Sequence, residues 1–89
     1  MAYRVEFTHR AGKQFSSLER SVQLRLKPQI DSLSENPRPR GAKKLSSSEN
    51  LYRIREGDYR IIYQVQDEIL LILVLKVGHR KDIYRIRLE

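Results

Sequence analysis

Residues 51–66 constrain the fold more than any other part of the chain, because their pattern predicts a β-hairpin together with its register. Two runs of alternating apolar residues, LYRIRE and YRIIYQVQ, flank Gly57-Asp58. A two-residue turn containing glycine joins such strands, since glycine adopts positive φ without steric cost. The turn predicts these opposed pairs: Glu56 with Tyr59, Arg55 with Arg60, Ile54 with Ile61, Arg53 with Ile62, and Tyr52 with Tyr63.

This register divides the hairpin into two faces that differ in chemistry. The predicted apolar face, suited to packing on helices, consists of Tyr52, Ile54, Ile61 and Tyr63. The opposite face carries Arg53, Arg55 and Arg60. A register shift of one residue would scatter this sorting. Like charges opposed across a strand pair repel each other, so this face predicts a polyanion site, with a solvated basic surface as the alternative. Phosphate is the natural counter-charge, because guanidinium groups bind it bidentately.

The N-terminal half is predicted to contain one strand and two helices. Residues 3–8 alternate Tyr, Val and Phe with polar residues, which is typical of a strand with one buried face. Apolar residues recur at helical spacing in residues 9–19 and 21–35, with Ser21 as the N-cap of the second helix. Pro28 predicts either a kink or the start of that helix, because its ring removes an i−4 hydrogen bond.

A second hairpin is predicted to continue the sheet beyond residue 66. Asp67-Glu68 forms the turn, and the nearly all-apolar strand Ile69–Val77 follows as a central strand covered on both faces. This pairing places Val77 on the arginine-bearing face, and a strand continuing past Gly78 would place His79 there too. Residues 1–89 thus predict a single domain with an α+β fold. Its small, antiparallel-rich sheet combines the N-terminal strand with a C-terminal three-stranded meander, and two N-terminal helices pack on one face.

Composition limits the class of protein. A chain of 89 residues has one small core, and its net charge of +7 favours an acidic or nucleic-acid partner. The chain has no cysteine, no evident signal peptide, and no apolar run long enough to span a bilayer. We therefore expect a soluble cytoplasmic protein without a membrane partner. Residues 36–48 form a basic loop, and its predicted RNA-binding residues are Arg38, Arg40, Lys43 and Lys44.

The candidate chemistry is metal-free cleavage of RNA. No cluster of His, Asp and Glu has the spacing of metal ligands, so neither a metal nor another cofactor is expected. In RNA the 2′-hydroxyl attacks its own phosphate, so a protein need only position, move protons and neutralise charge. Histidine normally titrates near neutrality, which makes His79 the candidate for proton transfer. Arg80 adds a further cation, and Tyr84 either stacks on a base or packs the C-terminal tail.

The chain resembles the RelE-type toxins of bacterial type II toxin–antitoxin systems, within the RelE/ParE superfamily. The resemblance spans essentially the whole chain and rests on the segments AYRVEFT, ENPRP, LYRIREGDYRIIYQV and VGHRKDIYR. It implies a ribosome-dependent endoribonuclease that cleaves mRNA in the decoding site, with ribosomal RNA contacts, and thereby inhibits translation. It also implies neutralisation by a cognate antitoxin protein, with operator DNA bound only through the toxin–antitoxin complex.

The resemblance also implies which residues form the catalytic site. The family's basic and aromatic positions correspond to Arg53, Arg55, Arg60, Arg80 and Tyr84, and His79 joins them as the candidate proton shuttle. The second-strand positions are lysines in the best-known members, whereas arginine essentially never loses its proton. The base is therefore either His79 or absent, with charge stabilisation dominating. Two alternatives are a ParE-like toxin that binds DNA gyrase without nuclease activity, and a relative that has lost toxicity.

Overall fold

A computed structural model describes residues 2–46 and 49–83, and this part of the chain forms one five-stranded sheet and three α-helices. The elements in chain order are β1 (Arg4–Phe7), α1 (His9–Ser16), α2 (Arg20–Ser32), β2 (Lys43–Ser46), β3 (Leu51–Glu56), β4 (Tyr59–Gln66), a 3-10 turn (Asp67–Ile69), β5 (Leu71–His79) and α3 (Arg80–Ile83). The strand order is β1-β5-β4-β3-β2. Only the β1–β5 pair is parallel among these neighbours, so the predicted α+β fold with a mostly antiparallel sheet is confirmed.

The β3–β4 hairpin has the predicted register. All five opposed pairs predicted from the turn are present, from Glu56 with Tyr59 to Tyr52 with Tyr63. Gly57 has a φ of +60°, which is the left-handed conformation that glycine adopts at low cost. The sequence of this turn therefore determines which hairpin residues face the helices.

Two helices cover one face of the sheet, with boundaries that differ from the predicted ones. The Thr8 hydroxyl accepts the Ala11 amide at 3.1 Å and thereby caps α1, which ends at Ser16 rather than Glu19. The N-cap of α2 is Glu19, so the prediction of Ser21 was wrong. Pro28 lies in the middle of α2 and does not begin it.

The hydrophobic core lies between these helices and the sheet. The helices contribute Ala11, Val22, Leu26, Ile30 and Leu33. The sheet contributes Tyr52, Ile54, Ile61, Tyr63, Val65, Ile72, Val74 and Val77. The four residues of the predicted apolar face are therefore all buried against the helices. Among the described residues, no helix has the length and apolar composition needed to cross a membrane.

The basic loop predicted at residues 36–48 contains a strand that the sequence did not predict. In the structure, Lys43–Ser46 forms β2 and pairs with the outer edge of β3. Lys43 lies opposite Arg53, whereas Lys44 lies opposite Tyr52 on the helix face. The segment has no apolar alternation, and the unpaired backbone groups of β3 supply the bonds that make it a strand.

The connection from β4 to β5 is longer than the predicted two-residue turn. Residues 67–69 form a turn of 3-10 helix, and Leu70 follows with a φ of +51°. As a result β5 begins at Leu71, and Ile69 is left 58% exposed outside the strand.

A β-bulge at Leu75 reverses the facing of the second half of β5. Tyr63 lies opposite Val74, but the next pair along is Ile62 with Lys76, so Leu75 is the extra residue. A bulge adds one residue to one strand and thereby re-aims the side chains beyond it. The prediction that Val77 lies on the arginine-bearing face was therefore wrong. Lys76 takes that side, and Val77 is buried in the core.

Candidate functional site

The sheet face opposite α1 and α2 carries a concentration of cationic side chains, and we call it the arginine face. One cross-strand row consists of Lys43, Arg53, Ile62 and Lys76. The next row consists of Arg55, Arg60 and Gly78. Neighbouring strands lie about 5 Å apart, so the cations within a row are close enough to contact one polyanion together.

Arg60 is the most constrained cation of this face. Its side chain is buried, with the residue only 9% exposed, and Nη1 donates to the Gly57 carbonyl at 3.3 Å and the Tyr59 carbonyl at 3.2 Å. Its Nε has no hydrogen-bond partner within residues 2–46 and 49–83. Arg55 lies directly opposite and is exposed. The guanidinium of Arg60 is thus held in place by the turn, with its Nε buried.

The same turn also holds Arg80. The Arg80 amide donates to the Asp58 carbonyl at 2.7 Å, which joins the start of α3 to the β3–β4 turn. The Arg80 Nε lies 3.8 Å from the Asp58 carboxylate, and both side chains are more than half exposed. An exposed ion pair of this kind contributes little to stability. The backbone hydrogen bond therefore fixes the position of the Arg80 backbone. The exposed Arg80 side chain can leave Asp58 and bind another anion.

His79 lies on the helix face of the sheet, whereas the sequence pattern placed it on the arginine face. It pairs with Tyr59 on the helix face, and the two rings meet edge to face with centroids 5.4 Å apart. Its Nδ1 accepts the Lys81 amide at 3.1 Å, so the neutral ring carries its proton on Nε2. The bulge at Leu75 is the cause, because it reverses the facing of all later residues of β5. His79 therefore holds the first turn of α3.

Arg38 is anchored rather than freely available to a ligand. Its guanidinium donates to both carboxylate oxygens of Asp67, at 2.7 and 3.3 Å, and to the Tyr52 hydroxyl at 2.9 Å. Tyr3 donates to the same carboxylate at 2.5 Å. The hydrogen bond from Arg38 lowers the pKa of Asp67, and the Arg38 bond likewise lowers the pKa of Tyr52. This network fastens the chain after α2 to the sheet.

The other predicted RNA-binding residues lie on different surfaces. Lys43 is exposed on the arginine face, whereas the Lys44 ammonium lies 5.8 Å from the centre of the Tyr52 ring on the helix face. Arg40 is exposed and lines a shallow cleft beside Arg55. Tyr84 lies outside the described residues. The structure therefore places Lys43 beside Arg53 on the arginine face, and Arg40 in a cleft that Arg55 also lines.

Lys76 is the residue of the arginine face that sequence reasoning missed. It is only 2% exposed and lines a cleft with Thr8, Arg10 and Gln64. The available signal was a single charged residue within the otherwise apolar run ILLILVLKV. Regular alternation would have placed it among core residues, so its charge was evidence for the bulge.

The arrangement is suited to binding phosphate. Cationic residues of β2, β3, β4 and β5 share the arginine face, and Arg80 begins α3 beside the β3–β4 turn. Guanidinium and ammonium groups bind phosphate oxygens with charge-assisted hydrogen bonds. Within residues 2–46 and 49–83, no group of three or more His, Cys, Asp or Glu side chains is placed to hold a metal ion.

The comparisons with known proteins agree on one family. The family model described as "ParE toxin of type II toxin-antitoxin system, parDE" matches residues 5–84. The mRNA interferase toxin RelE of Escherichia coli is 37% identical over 83 residues, which cover 91% of this chain and 86% of that protein. Toxin RelG of Mycobacterium tuberculosis is 31% identical, with coverage of 96% and 99%.

Solved structures of related proteins have the same architecture. The toxin chain matched in the intact RelBE toxin–antitoxin complex of Escherichia coli has a TM-score of 0.78 and 34% identity, covering 88% of this chain and 96% of that one. The isolated RelE toxin of the same organism has a TM-score of 0.79 and 29% identity, with coverage of 97% and 100%. The chain therefore belongs to the RelE-type toxins of type II toxin–antitoxin systems, within the RelE/ParE superfamily.

Proposed function

We propose that this toxin is an endoribonuclease that cleaves mRNA in the decoding site of the ribosome and so arrests translation. The observation that carries the proposal is the pair of opposed arginines, Arg55 and Arg60, beside Arg53 on one sheet face. Burying Arg60 directly opposite another arginine is costly for a small domain, and a phosphate bound on this face offsets the repulsion. The similarity to a protein named mRNA interferase toxin RelE supports the same chemistry.

The proposed reaction is an internal transesterification. The ribose 2′-oxygen forms a bond to the adjacent phosphorus as the bond from phosphorus to the 5′-oxygen breaks. The products are a 2′,3′-cyclic phosphate and a 5′-hydroxyl, and the proton lost by the 2′-hydroxyl is balanced by one gained at the 5′-oxygen. Charge accumulates on the phosphoryl oxygens in the transition state, which is where preorganised cations stabilise most.

The residues divide the work in this proposal. Arg53, Arg55, Arg60 and Arg80 neutralise the phosphate without changing protonation, because guanidinium keeps its proton. His79 remains a prediction for proton transfer, a role that would require its ring to leave the helix face and its Nδ1 to release the Lys81 amide. Tyr84 remains a prediction for stacking on a base. Lys43 and Arg40 are proposed to contact flanking messenger or ribosomal RNA. Lys44, over the Tyr52 ring, and Arg38, bonded to Asp67, are less available for such contacts.

The proposed partner is a cognate antitoxin protein. Solved relatives include a RelBE toxin–antitoxin complex, and the net charge of +7 favours an acidic partner segment that covers the arginine face. We propose that operator DNA is bound only through that complex and that the toxin acts in the cytoplasm, where ribosomes are. Neither a metal nor another cofactor is part of the proposed mechanism.

The test is a cleavage assay on programmed ribosomes with purified toxin. We expect wild type to cut the mRNA at the decoding site, and Arg60→Met and Arg80→Ala to slow single-turnover cleavage by about a hundredfold or more, as loss of a charge-stabilising donor does. Lys13→Met, an exposed lysine on α1, is the matched control and should cleave like wild type. Intact mRNA with wild-type toxin on ribosomes would refute the function.

A second candidate is inhibition of DNA gyrase by binding, because the matching family model is described as a ParE toxin. This candidate needs no catalytic arginine, so Arg60→Met would remain toxic. Inducing the toxin in cells and following supercoiling and mRNA integrity in parallel separates the two. Lost supercoiling with intact mRNA would favour gyrase, and cleaved mRNA with normal supercoiling would favour the nuclease.

A further inference from the structure

The cleft shared by Arg40 and Arg55 lies at the outer edge of β3, and we call it the edge cleft. Its lining includes Gln29 and Ser32 of α2, Arg40 and Gly41 of the following loop, and Arg55 of β3. Its volume of about 230 Å³ is below the range of about 300–1,000 Å³ that is usual for small-molecule sites. The edge cleft is therefore suited to one group of a longer ligand.

Both arginines of the edge cleft are available to a ligand. Arg40 and Arg55 are exposed, and within residues 2–46 and 49–83 neither side chain makes a hydrogen bond or ion pair. The Ser32 hydroxyl, by contrast, is already used, because it donates to the Gln29 carbonyl at 2.8 Å. None of the described residues that line the edge cleft has a carboxylate. An anion that enters the edge cleft therefore meets two guanidinium groups and no acidic competitor.

The backbone of Arg55 adds a hydrogen-bond donor on the same edge. Residues that flank a two-residue turn bond each other, and the bonding direction alternates along a strand, so the Arg55 amide points away from β4. β2 begins at Lys43 opposite Arg53, which leaves Gly41 as the residue beside Arg55 in the continued register. Gly41 has a φ of +96°, and within the described residues no backbone hydrogen bond joins its loop to Arg55. The Arg55 amide is thus open at the edge cleft.

The edge cleft adjoins the proposed catalytic arginines through Arg55. This residue lines the edge cleft and also lies directly opposite Arg60 on the arginine face. A phosphate in the edge cleft is therefore beside a residue that is proposed to neutralise the scissile phosphate. We propose that the edge cleft binds the messenger phosphate next to the scissile one, with Arg40 and Arg55 as its guanidinium donors. The proposal rests on the RNA-cleaving function and gives the messenger a path across the outer edge of β3.

A phosphate fits this edge better than an acidic peptide does. A peptide strand gains affinity from a row of backbone hydrogen bonds along the edge of a sheet. Here only Arg55 is open, because β2 covers Arg53 and β3 ends at Glu56. A phosphate group needs only one backbone donor, and its oxygens accept bidentate hydrogen bonds from guanidinium groups. The edge cleft therefore suits a single phosphate and not an added strand.

The test measures binding of the toxin to ribosomes programmed with mRNA that cannot be cleaved, because a 2′-O-methyl group blocks the attacking oxygen. In separate messengers, one phosphate at a time on either side of the blocked linkage is replaced by an uncharged methylphosphonate. Affinity is measured by fluorescence anisotropy of the full chain labelled at its N-terminal amine. Wild type is compared with Arg40→Gln, which deletes the charge from an exposed loop position. Arg20→Gln is the matched control, since Arg20 is exposed on α2 and has no partner among the described residues.

In wild type, one neutral linkage beside the blocked one should weaken binding about tenfold, as loss of a charge-assisted hydrogen bond does. Arg40→Gln should weaken binding to the unmodified messenger by a similar factor. The same neutral linkage should then weaken Arg40→Gln only about threefold or less, because two changes to one contact are not additive. Arg40→Lys should recover part of the loss, since it restores the charge without the bidentate fork. Arg20→Gln should bind every messenger as wild type does.

A neutral linkage that weakens Arg40→Gln as much as it weakens wild type would overturn the proposal and assign Arg40 to ribosomal RNA. Wild-type affinity in Arg40→Gln would overturn it as well, and a loss seen only with an acidic peptide would indicate a protein ligand instead. Cleavage of unmodified mRNA is a separate readout. Normal cleavage by wild type without the coupling would refute the edge cleft alone, whereas coupling without cleavage would refute the nuclease and leave the edge cleft.

Discussion

Removing one of the opposed arginines should make this toxin more stable while making it inactive. Arg55 lies directly opposite Arg60, and its side chain makes no hydrogen bond or ion pair with any described residue. Arg55→Met keeps most of the aliphatic stem and deletes the charge. The variant therefore relieves a repulsion without losing a contact, whereas the proposed catalysis loses one of its cations.

The expected gain follows from the geometry of the pair. Like charges directly opposed across two strands cost about 0.2–1 kcal/mol, so Arg55→Met should raise the free energy of unfolding by about 0.5 kcal/mol. Arg55→Glu replaces repulsion by attraction and should roughly double that gain. With a urea m-value of about 1 kcal/mol per molar for a small domain, the midpoint rises by about 0.5 M for Met and about 1 M for Glu.

Urea unfolding followed by circular dichroism measures these midpoints at low salt and in concentrated sodium chloride. The Debye length is about 3 Å in molar salt, so the gain from Arg55→Met should disappear there. Lys13→Met is the control and should give no gain, because its exposed charge lies in the last turn of α1, where it favours the helix dipole. A lower midpoint for Arg55→Met, or a gain that survives high salt, would refute the reasoning.

Three further predictions concern the parts that hold the site. Tyr63→Phe should lower the free energy of unfolding by about 1 kcal/mol in urea denaturation, because the Tyr63 hydroxyl donates to the Pro37 carbonyl at 2.7 Å. Arg38 lowers the pKa of Asp67, so the carboxylate stabilises the fold at neutral pH and that contribution is lost as pH falls through the lowered pKa. The stability difference between wild type and Asp67→Asn should therefore vanish on acidification, and a constant difference in pH-resolved urea melts would contradict it. Gly57→Ala should cost about 1 kcal/mol because of the positive φ, and Gly57→Asn less, as compared by thermal melting.

The sequence predicted the hairpin because a local signal determines it. A glycine-containing turn between alternating strands fixes which residues are opposed, and no distant part of the chain changes that choice. The opposed pair Arg55 and Arg60, and the buried pair Tyr52 and Tyr63, follow from that turn alone. The same turn determines the register of the whole β3–β4 pair.

The features that the sequence did not predict depend on distant partners. The bulge at Leu75 forms where the end of β5 must satisfy both β4 and the core, and no single residue in the run ILLILVLKV specifies it. Because the bulge was not predicted, the predicted facing of Val77 and His79 was wrong. β2 likewise becomes a strand only because β3 has an open edge. Lys76 was the residue whose polarity conflicted with the regular alternation and could have indicated the bulge.

The order of the strands in the sheet determines when the arginine face can form during synthesis of the chain. β1 is made first, but its only sheet neighbour among the described strands is β5, which is made last. Pairing strands so far apart in sequence is slow and must wait for all the intervening chain. Because β5 lies between β1 and β4, the nascent chain cannot complete the arginine face until β5 emerges. Partial chains that stop before residue 71 therefore lack Lys76, Arg80 and the central strand that completes the arginine face.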